Sequence, residues 1–289
     1  RALKIALDNG YMESALRAYN NLPTALPAEE HERILECQEK GFELAKKIGD
    51  ILHQSWIGVN LADTYIGMGN VGKAMLLVEE SVALDRKADN VTHLPMSLDS
   101  LGFIHQILGE LDKSEQYYKE ALSISQKSNE FQSMLYSYGY LGWFHFDKGE
   151  YAKAREFWEK MYETAEKAGA KSAKMWSTAR ILWTYIELGE IEKVTNSIDS
   201  LYKFAQEIGD NFMIAVIDTQ RAGLFRAQRK WEESVKYFEK SFHECELINA
   251  RQWNVFWFAK MFLFEYARMY LERDQQGDRE KAYNLLTQA

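Results

Sequence analysis

The sequence has little cysteine and little proline. It contains two cysteines, Cys37 and Cys245, and three prolines in its first third, Pro23, Pro27 and Pro95. Two cysteines so far apart exclude a disulfide framework and favour a reducing compartment, so we expect a cytoplasmic protein. Because a proline inside a helix costs about 3 kcal/mol, its scarcity favours long uninterrupted helices.

Basic tracts and long apolar runs are also missing. The net charge is -8 and the isoelectric point is about 5.4, which argues against a nucleic-acid partner. The most apolar stretch, residues 253–269, is broken by Lys260, Glu265 and Arg268. We therefore expect neither a membrane span nor a signal peptide.

Motifs that carry catalysis are absent as well. There is no phosphate loop, nucleophile elbow, Gly-x-Gly-x-x-Gly or paired-cysteine metal site. His31 and His243 are each followed by glutamate, but neither has a second histidine four residues later. The sequence predicts no enzyme activity, no metal site and no cofactor.

What the chain does have is a repeat of 40 residues. Residues suited to a left-handed helix end recur at this interval: Asn9, Gly49, Asp89, Asn129, Gly169, Gly209 and Asn249. A second series marks an inner turn: Gly69, Gly109, Gly149 and Gly189, then Arg229, and Gly277 eight residues late. Between the turns, apolar residues follow a period of 3.6, which predicts amphipathic helices.

These intervals predict an all-α fold, a right-handed superhelical solenoid of antiparallel helical hairpins forming a single domain over residues 1–289. Residues 1–9 are expected to be the second helix of a truncated repeat. Hairpins should then occupy 10–49, 50–89, 90–129, 130–169, 170–209, 210–249 and 250–289. Because the sequence starts and stops within predicted helices, we expect a fragment of a longer chain.

The hairpin over 130–169 carries a family resemblance. Its small and large residues alternate as Leu141-Gly142, His145, Gly149, Ala154 and Trp158. This pattern resembles the tetratricopeptide repeat, and the resemblance implies a binding scaffold. The usual unit has 34 residues, so the helices here are expected to be longer.

Two groups of tetratricopeptide-like proteins are similar in repeat style. The stretches Ala15–Leu22 and Gly41–Asp50 resemble the sensor domains of multidomain signal-transducing ATPases of the maltose-regulon-activator type. The other group is the peptide-binding regulators of Gram-positive quorum sensing. The resemblance implies a non-catalytic sensing or partner-binding domain of a larger signalling protein. A protein-docking scaffold without a small ligand is the alternative.

The resemblance also implies that the first helix of each hairpin lines a concave groove. The groove residues carried over are Trp56, Asp63, Asp99, Phe103, Tyr136, Trp143, Phe146, Asp147, Trp176, Trp183, Glu187 and Arg226. Aromatic rings and carboxylates suit a peptide, a protein or a small molecule. In the alternative, longer helices close the groove and these aromatics pack against one another.

The sequence leaves more than one role possible for two further features. His105 and His145 occupy the same position in successive hairpins, as core residues or as a metal or pH-sensitive pair. The last hairpin carries aromatics on every side of one helix, among them Trp253, Trp257 and Phe264. A helix that is apolar all round should be buried, so we expect it to pack within the solenoid, against further domains of the same polypeptide, or against a second copy.

Overall fold

The computed structural model describes residues 2–25, 31–248 and 253–288, and every regular element in these ranges is an α-helix. The helices are α1 (Ala2–Asp8), α2 (Met12–Ala25), α3 (His31–Ile48), α4 (Ile51–Gly67), α5 (Val71–Lys87), α6 (Leu94–Ile107), α7 (Leu111–Ser128), α8 (Phe131–Asp147), α9 (Tyr151–Lys167), α10 (Lys171–Glu187), α11 (Ile191–Ile208), α12 (Asn211–Ala227), α13 (Trp231–Ile248), α14 (Trp253–Arg273) and α15 (Asp278–Gln288). The predicted all-α fold of helical hairpins is confirmed.

Left-handed residues end the helices at the predicted interval. Positive φ angles occur at Gly49, Asp89, Asn129, Gly169 and Gly209, and also at every inner turn from Gly69 to Arg229. The N–H after most of these residues reaches back over a full turn, as where Asp50 N donates to Ala45 O at 2.9 Å. The same residue then starts the next helix, because Asp50 Oδ1 accepts from His53 N at 3.1 Å.

Helix α1 ends at Asp8, just before Asn9, but the predicted left-handed residue is wrong. The left-handed residue after α1 is Gly10, with φ +71°, and not Asn9. Glycine adopts this conformation without a Cβ clash, and Asn9 instead donates its side-chain amide to Ile5 O at 2.8 Å. The predicted helix stop at Asn249 lies outside the described residues, and so does Pro27.

The chain divides into two compact units. Unit 1 is Arg1–Lys148 with Glu163–Gly169, and unit 2 is Gly149–Tyr162 with Ala170–Ala289. A single domain over residues 1–289 therefore stays a prediction.

Within unit 1, the first helices α2, α4, α6 and α8 each contact the next in this series. The second helices α3, α5 and α7 show no such contacts among their described residues. The first helices are thus closer together, which places them on the inner side of unit 1. In unit 2, the first helices α10, α12 and α14 contact one another in the same order.

Helices within a hairpin approach closely at small residues. A Cβ atom added to Gly102 would lie 2.8 Å from the ring of Tyr118 and 3.1 Å from Ser114 O. Tyr118 is fully buried, so glycine at this position allows α6 and α7 to cross over a large aromatic ring.

The last hairpin differs in length. Helix α14 has 21 residues, whereas the first helix α12 has 17. The inner turn at Gly277, with φ +86°, therefore comes late in the repeat.

Candidate functional site

The first helices of unit 1 present one continuous face. Residues spaced i, i+3, i+4, i+7, i+10 and i+11 share a side of a helix. We call the following set the inner face of unit 1: Trp56, Val59, Asn60, Asp63, Ile66 and Gly67 of α4; Met96, Asp99, Ser100, Phe103, Gln106 and Ile107 of α6; Tyr136, Gly139, Tyr140, Trp143, Phe146 and Asp147 of α8.

Two aromatic residues on this face are open to solvent. Trp56 is 49% exposed and Tyr136 is 44% exposed. They hold the same repeat position, with the half-buried Met96 at that position on the helix between them. The ring of Trp56 is 5.8 Å from that of His93, which supports one side of the indole. Exposed aromatic side chains in one row, with a methionine between them, are typical of a binding surface.

The other aromatics of this face take part in packing. Phe103 is buried, 6.2 Å from Tyr140, and Tyr140 stacks on Tyr118 at 5.5 Å. Trp143 and Phe146 are half-buried and meet edge to face at 5.5 Å. These rings lie on the same face, one to three helical turns along α6 and α8 from the positions of Met96 and Tyr136.

Asp63 is the first of three carboxyl groups on the inner face of unit 1. It is half-buried on α4 and has no hydrogen bond or salt bridge among the described residues. Burial raises the pKa of Asp63 to about 7, because nothing offsets the cost of desolvating its charge.

Asp99 and Asp147 are the other two carboxyl groups. Burial raises the pKa of Asp99 well above its usual range although Ser137 Oγ donates to its Oδ2 at 2.8 Å. The buried Asp99 Oδ1 has no hydrogen-bond partner among the described residues. Desolvation raises the pKa of Asp147 to about 6 even though Gln106 Nε2 donates to it at 2.6 Å.

The inner face of unit 1 carries charge of one sign only. It has three aspartates and no lysine, arginine or histidine at any of its named positions. The exposed aromatics and the three carboxyl groups share one face, and no cationic side chain at its named positions pairs with these carboxyls.

In unit 2 the corresponding positions hold an ion network instead. The buried Arg226 on α12 donates to Glu187 on α10 at 3.0 Å and to Glu272 on α14 at 2.8 Å. Arg268 of α14 also donates to both oxygens of Glu187, at 3.0 and 2.9 Å. The network joins three first helices, and burial raises the pKa of the nearby Glu265.

The two predicted tryptophans of unit 2 are less accessible than Trp56. Trp183 is 2% exposed and packs against Gly223, where an added Cβ would lie 3.3 Å from the indole. Trp176 is half-buried, with its ring 5.5 Å from that of Phe212.

A buried polar network in unit 1 was not predicted from the sequence. The fully buried Asp85 bonds to His93 Nδ1 at 2.8 Å and accepts from Ser97 Oγ at 2.6 Å. Asn90, beside the left-handed Asp89, donates to the other carboxyl oxygen at 3.0 Å. Aspartate and asparagine near a repeat boundary are the one sequence signal for such a network. The partners of Asp85, which are Asn90, His93 and Ser97, lie 5 to 12 residues further along the chain and are identified only by the fold.

The paired histidines are both buried. His105 Nδ1 lies 2.7 Å from Glu110 Oε2, and its ring stacks on Tyr117 at 5.3 Å. His145 is 4% exposed and meets Phe144 edge to face at 5.3 Å. Where side chains are described, no group of three or more His, Cys, Asp or Glu could hold a metal ion.

The last hairpin is partly buried. Phe262, Tyr266 and Tyr270 of α14 are buried, whereas Phe264 is 54% exposed. Phe262 meets Phe238 edge to face at 5.7 Å, Tyr266 stacks on Phe238 at 4.7 Å, and Tyr270 stacks on Tyr266 at 5.0 Å. The side chains of Trp253 and Trp257 lie outside those described. Across the described ranges, no helix combines the length and the apolar character that crossing a bilayer requires.

Known proteins share this architecture. Residues 94–167 match the tetratricopeptide repeat family. No curated protein sequence matches the chain. Among solved structures, a Rap protein complexed with Competence and Sporulation Factor is similar, with a TM-score of 0.75 and 13% identity over 90% of this chain and 70% of that one.

Two further structures are similar over nearly the whole chain. Aspartyl phosphate phosphatase F from Bacillus subtilis has a TM-score of 0.72 at 12% identity, covering 98% of this chain and 73% of that one. A signal transduction ATPase with numerous domains, which has a tetratricopeptide repeat sensor and comes from Pyrococcus horikoshii, has a TM-score of 0.63 at 18% identity. It is aligned over 99% of this chain, which spans 48% of its length.

At these identities the likeness concerns the fold. Together with the match over residues 94–167, it shows that the chain is a tetratricopeptide-like solenoid of antiparallel helical hairpins.

Proposed function

We propose that this chain is a non-catalytic binding domain of a larger cytoplasmic signalling protein, and that it senses a peptide or protein segment on the inner face of unit 1. The observation that carries the proposal is that the exposed Trp56 and Tyr136 share a helix face with three carboxyl groups that have no ion pair among the described residues. Large aromatic rings held at one end by packing provide contact area at a low cost in conformational entropy.

The solved structures of similar fold support a peptide as the ligand class. One Rap protein is in complex with Competence and Sporulation Factor, and another, from plasmid pLS20, is in complex with the Phr* peptide. A signal transduction ATPase carries a repeat sensor of similar fold, which supports a sensing role within a longer chain. Ligand binding would act on an output by favouring one of two arrangements of the helices.

A protein-docking scaffold without a small ligand is the second candidate. It is favoured by the exposed Phe264, Leu271 and Tyr283 on the last hairpin, which give unit 2 an apolar surface suited to self-association or to another domain.

The test begins with a random heptapeptide display library panned on the intact chain. Enriched peptides are synthesised, and their dissociation constants are measured by fluorescence anisotropy. Each aromatic contact contributes about 0.5–1.5 kcal/mol, so Trp56→Ala and Tyr136→Ala should each weaken binding about two- to twelvefold. Tyr283→Ala, which removes a 67% exposed ring from α15, is the matched control and should leave binding unchanged.

Enrichment of peptides whose affinity ignores both inner-face variants would contradict the proposed site. Failure to enrich any peptide, with a concentration-dependent dimer by sedimentation, would favour the scaffold.

A further inference from the structure

We infer that unit 1 has a second binding site on its outer side, a cleft between the second helices α3 and α5 that accepts a phenylalanine or tyrosine ring from another protein. A lysine or arginine beside that ring in the partner segment would face the edge of the cleft. The cleft has about 410 Å³ of free space, and Phe42, Leu61 and Leu77 are among the residues that line it. It lies apart from the inner face of unit 1, so the inference does not depend on the proposed function.

Two other hairpins fill the equivalent place with an aromatic ring of their own. Tyr117 of α7 stacks on His105 of α6, with the ring centroids 5.3 Å apart. In unit 2, Tyr237 of α13 stacks on Phe225 of α12 at 5.4 Å. The repeat is thus built to hold a second ring at this position, because stacked aromatic rings attract each other beyond the burial of their surface.

The hairpin of α4 and α5 lacks this second ring. Forty residues before His105 and Tyr117, the chain has Tyr65 and Leu77, and both line the cleft. The Tyr65 hydroxyl donates to Glu39 Oε1 at 2.6 Å, which holds its ring in place. Leucine is smaller than tyrosine, so a space remains beside Tyr65. A ring from a partner would take the place that Tyr117 takes in the next hairpin.

The hairpin of α10 and α11 also lacks the second ring, but it has a substitute. Ser197 holds the second-ring position, and the guanidinium of Arg155 on α9 lies over the ring of Tyr185 at 5.7 Å. The equivalent residue before Tyr65 is Leu35. A guanidinium therefore takes the place of the ring in that hairpin, and this substitute is missing from the hairpin of α4 and α5.

An exposed leucine on the edge of the cleft is the second ground. Leu76 lines the cleft and is 68% exposed. The equivalent positions of the other repeats are polar: Glu36, Gln116, Glu156, Asn196 and Lys236. An apolar side chain at this one place extends the apolar surface of the cleft to its edge. Apolar surface left exposed around a cleft is typical of a protein interaction site.

The charges around the cleft are the third ground. Glu39 and Glu43 line it from one turn of α3, and Lys73 lines it from α5. Glu43 is exposed and has no hydrogen bond or ion pair among the described residues. The exposed Lys73 has its Nζ 4.8 Å from the centroid of the Tyr65 ring, a contact that is weak at a surface and can yield to an entering ring. Two carboxylates against one ammonium make a basic residue beside the ring complementary to this edge.

The experiment follows the methyl NMR signals of isoleucine, leucine and valine in the intact chain during titration with three capped peptides. The first peptide is Gly-Gly-Tyr-Lys-Gly-Gly, the second has glutamate in place of lysine, and the third has alanine in place of tyrosine. The first peptide should shift the methyl signals of Leu61, Leu76 and Leu77. The glutamate peptide should bind about two- to fivefold more weakly, as is typical of exposed ion pairs, and the alanine peptide should give no shift.

Leu77→Tyr is the decisive variant, because it restores the ring that Tyr117 provides in the next hairpin. The new ring should stack on Tyr65 and fill the cleft. We expect the first peptide to leave the Leu61 methyl signals of this variant unshifted.

Leu76→Gln keeps the test falsifiable if Leu77→Tyr folds poorly. It places at an exposed position the residue that the next hairpin has there, Gln116, and it should weaken binding of the first peptide about threefold or more. Leu108→Gln is the matched control, since it makes the same exchange at a leucine that is 51% exposed just after α6. It should leave the affinity within about twofold.

Several results would overturn the inference. One is the absence of any shift at Leu61 and Leu77 with the first peptide, and another is a shift that persists in Leu77→Tyr. Shifts confined to Val59 and Ile66 of the inner face would also overturn it, and they would leave the proposed function standing. Equal affinity of the lysine and glutamate peptides would overturn the requirement for a basic residue beside the ring.

Discussion

The ion network of unit 2 gives the sharpest stability prediction. Arg226 is 5% exposed, and it donates to Glu187 at 3.0 Å and to Glu272 at 2.8 and 3.0 Å. Replacing it with methionine keeps most of the side-chain volume but removes three charge-assisted hydrogen bonds. The Glu187 side chain, 4% exposed, would then keep Arg268 as its cation.

Breaking a buried ion pair from one side costs about 3–5 kcal/mol, because the remaining charge stays desolvated. Since Arg268 still pairs with Glu187, we expect the lower end of this range, about 3 kcal/mol, for Arg226→Met. Adding Glu187→Gln should recover part of the loss, because the two side chains interact directly.

Hydrogen exchange of the amides in α10, α12 and α14 measures this effect locally, which suits a repeat fold whose parts open separately. The control is Arg279→Met, which removes a guanidinium that is 82% exposed and 3.3 Å from Asp274. Surface pairs contribute about 0–1 kcal/mol. If Arg226→Met lowers the opening free energy no more than this control, the network is not a stabilising connection between the helices.

Three further predictions concern single residues. Gly102→Ala places a Cβ 2.8 Å from the Tyr118 ring and should destabilise by about 1–3 kcal/mol in urea unfolding, whereas Gly72→Ala, which meets no atom within 4 Å, should not destabilise. Burial raises the pKa of Asp63 from 3.8 to about 7 in the folded chain. The Asp63 carboxyl therefore loses its proton at a lower pH in the unfolded chain than in the folded one, and the free energy of unfolding should fall as pH rises from about 4 to about 7. Asp63→Asn should flatten that fall in melts across this range, and an unchanged pH profile would show that Asp63 is not desolvated. Arg229→Gly should raise the melting temperature slightly, because Arg229 holds a φ of +57° that strains a residue with a Cβ by about 1 kcal/mol; a lowered melting temperature would contradict this.

The repeat was predictable because it depends on local chemistry. Glycine and asparagine at fixed intervals set left-handed helix ends, and these ends lie where the sequence indicated at Gly49 and Asn129. The exception at Gly10 arose because asparagine and glycine are adjacent there, and glycine takes the left-handed conformation more readily.

The accessibility of the candidate site was not predictable in the same way. Trp56 and Trp183 both sit on the predicted face of a first helix, yet one is 49% exposed and the other 2%. Periodicity gives the face of a helix, but burial depends on how near the adjacent helix lies. Glu187 and Arg268 are 81 residues apart, so no local pattern indicated their contact.

The central claim is that ligand binds the inner face of unit 1, and photo-crosslinking tests it most directly. A library-derived peptide carrying benzophenone, which reacts well with methionine, is irradiated on the intact chain and the adducts are mapped by mass spectrometry. We expect adducts at Met96, whose position on α6 lies between those of Trp56 and Tyr136, and none at Met68, which is 58% exposed just after α4. Adducts confined to Met68, to the second helices or to the last hairpin would contradict it.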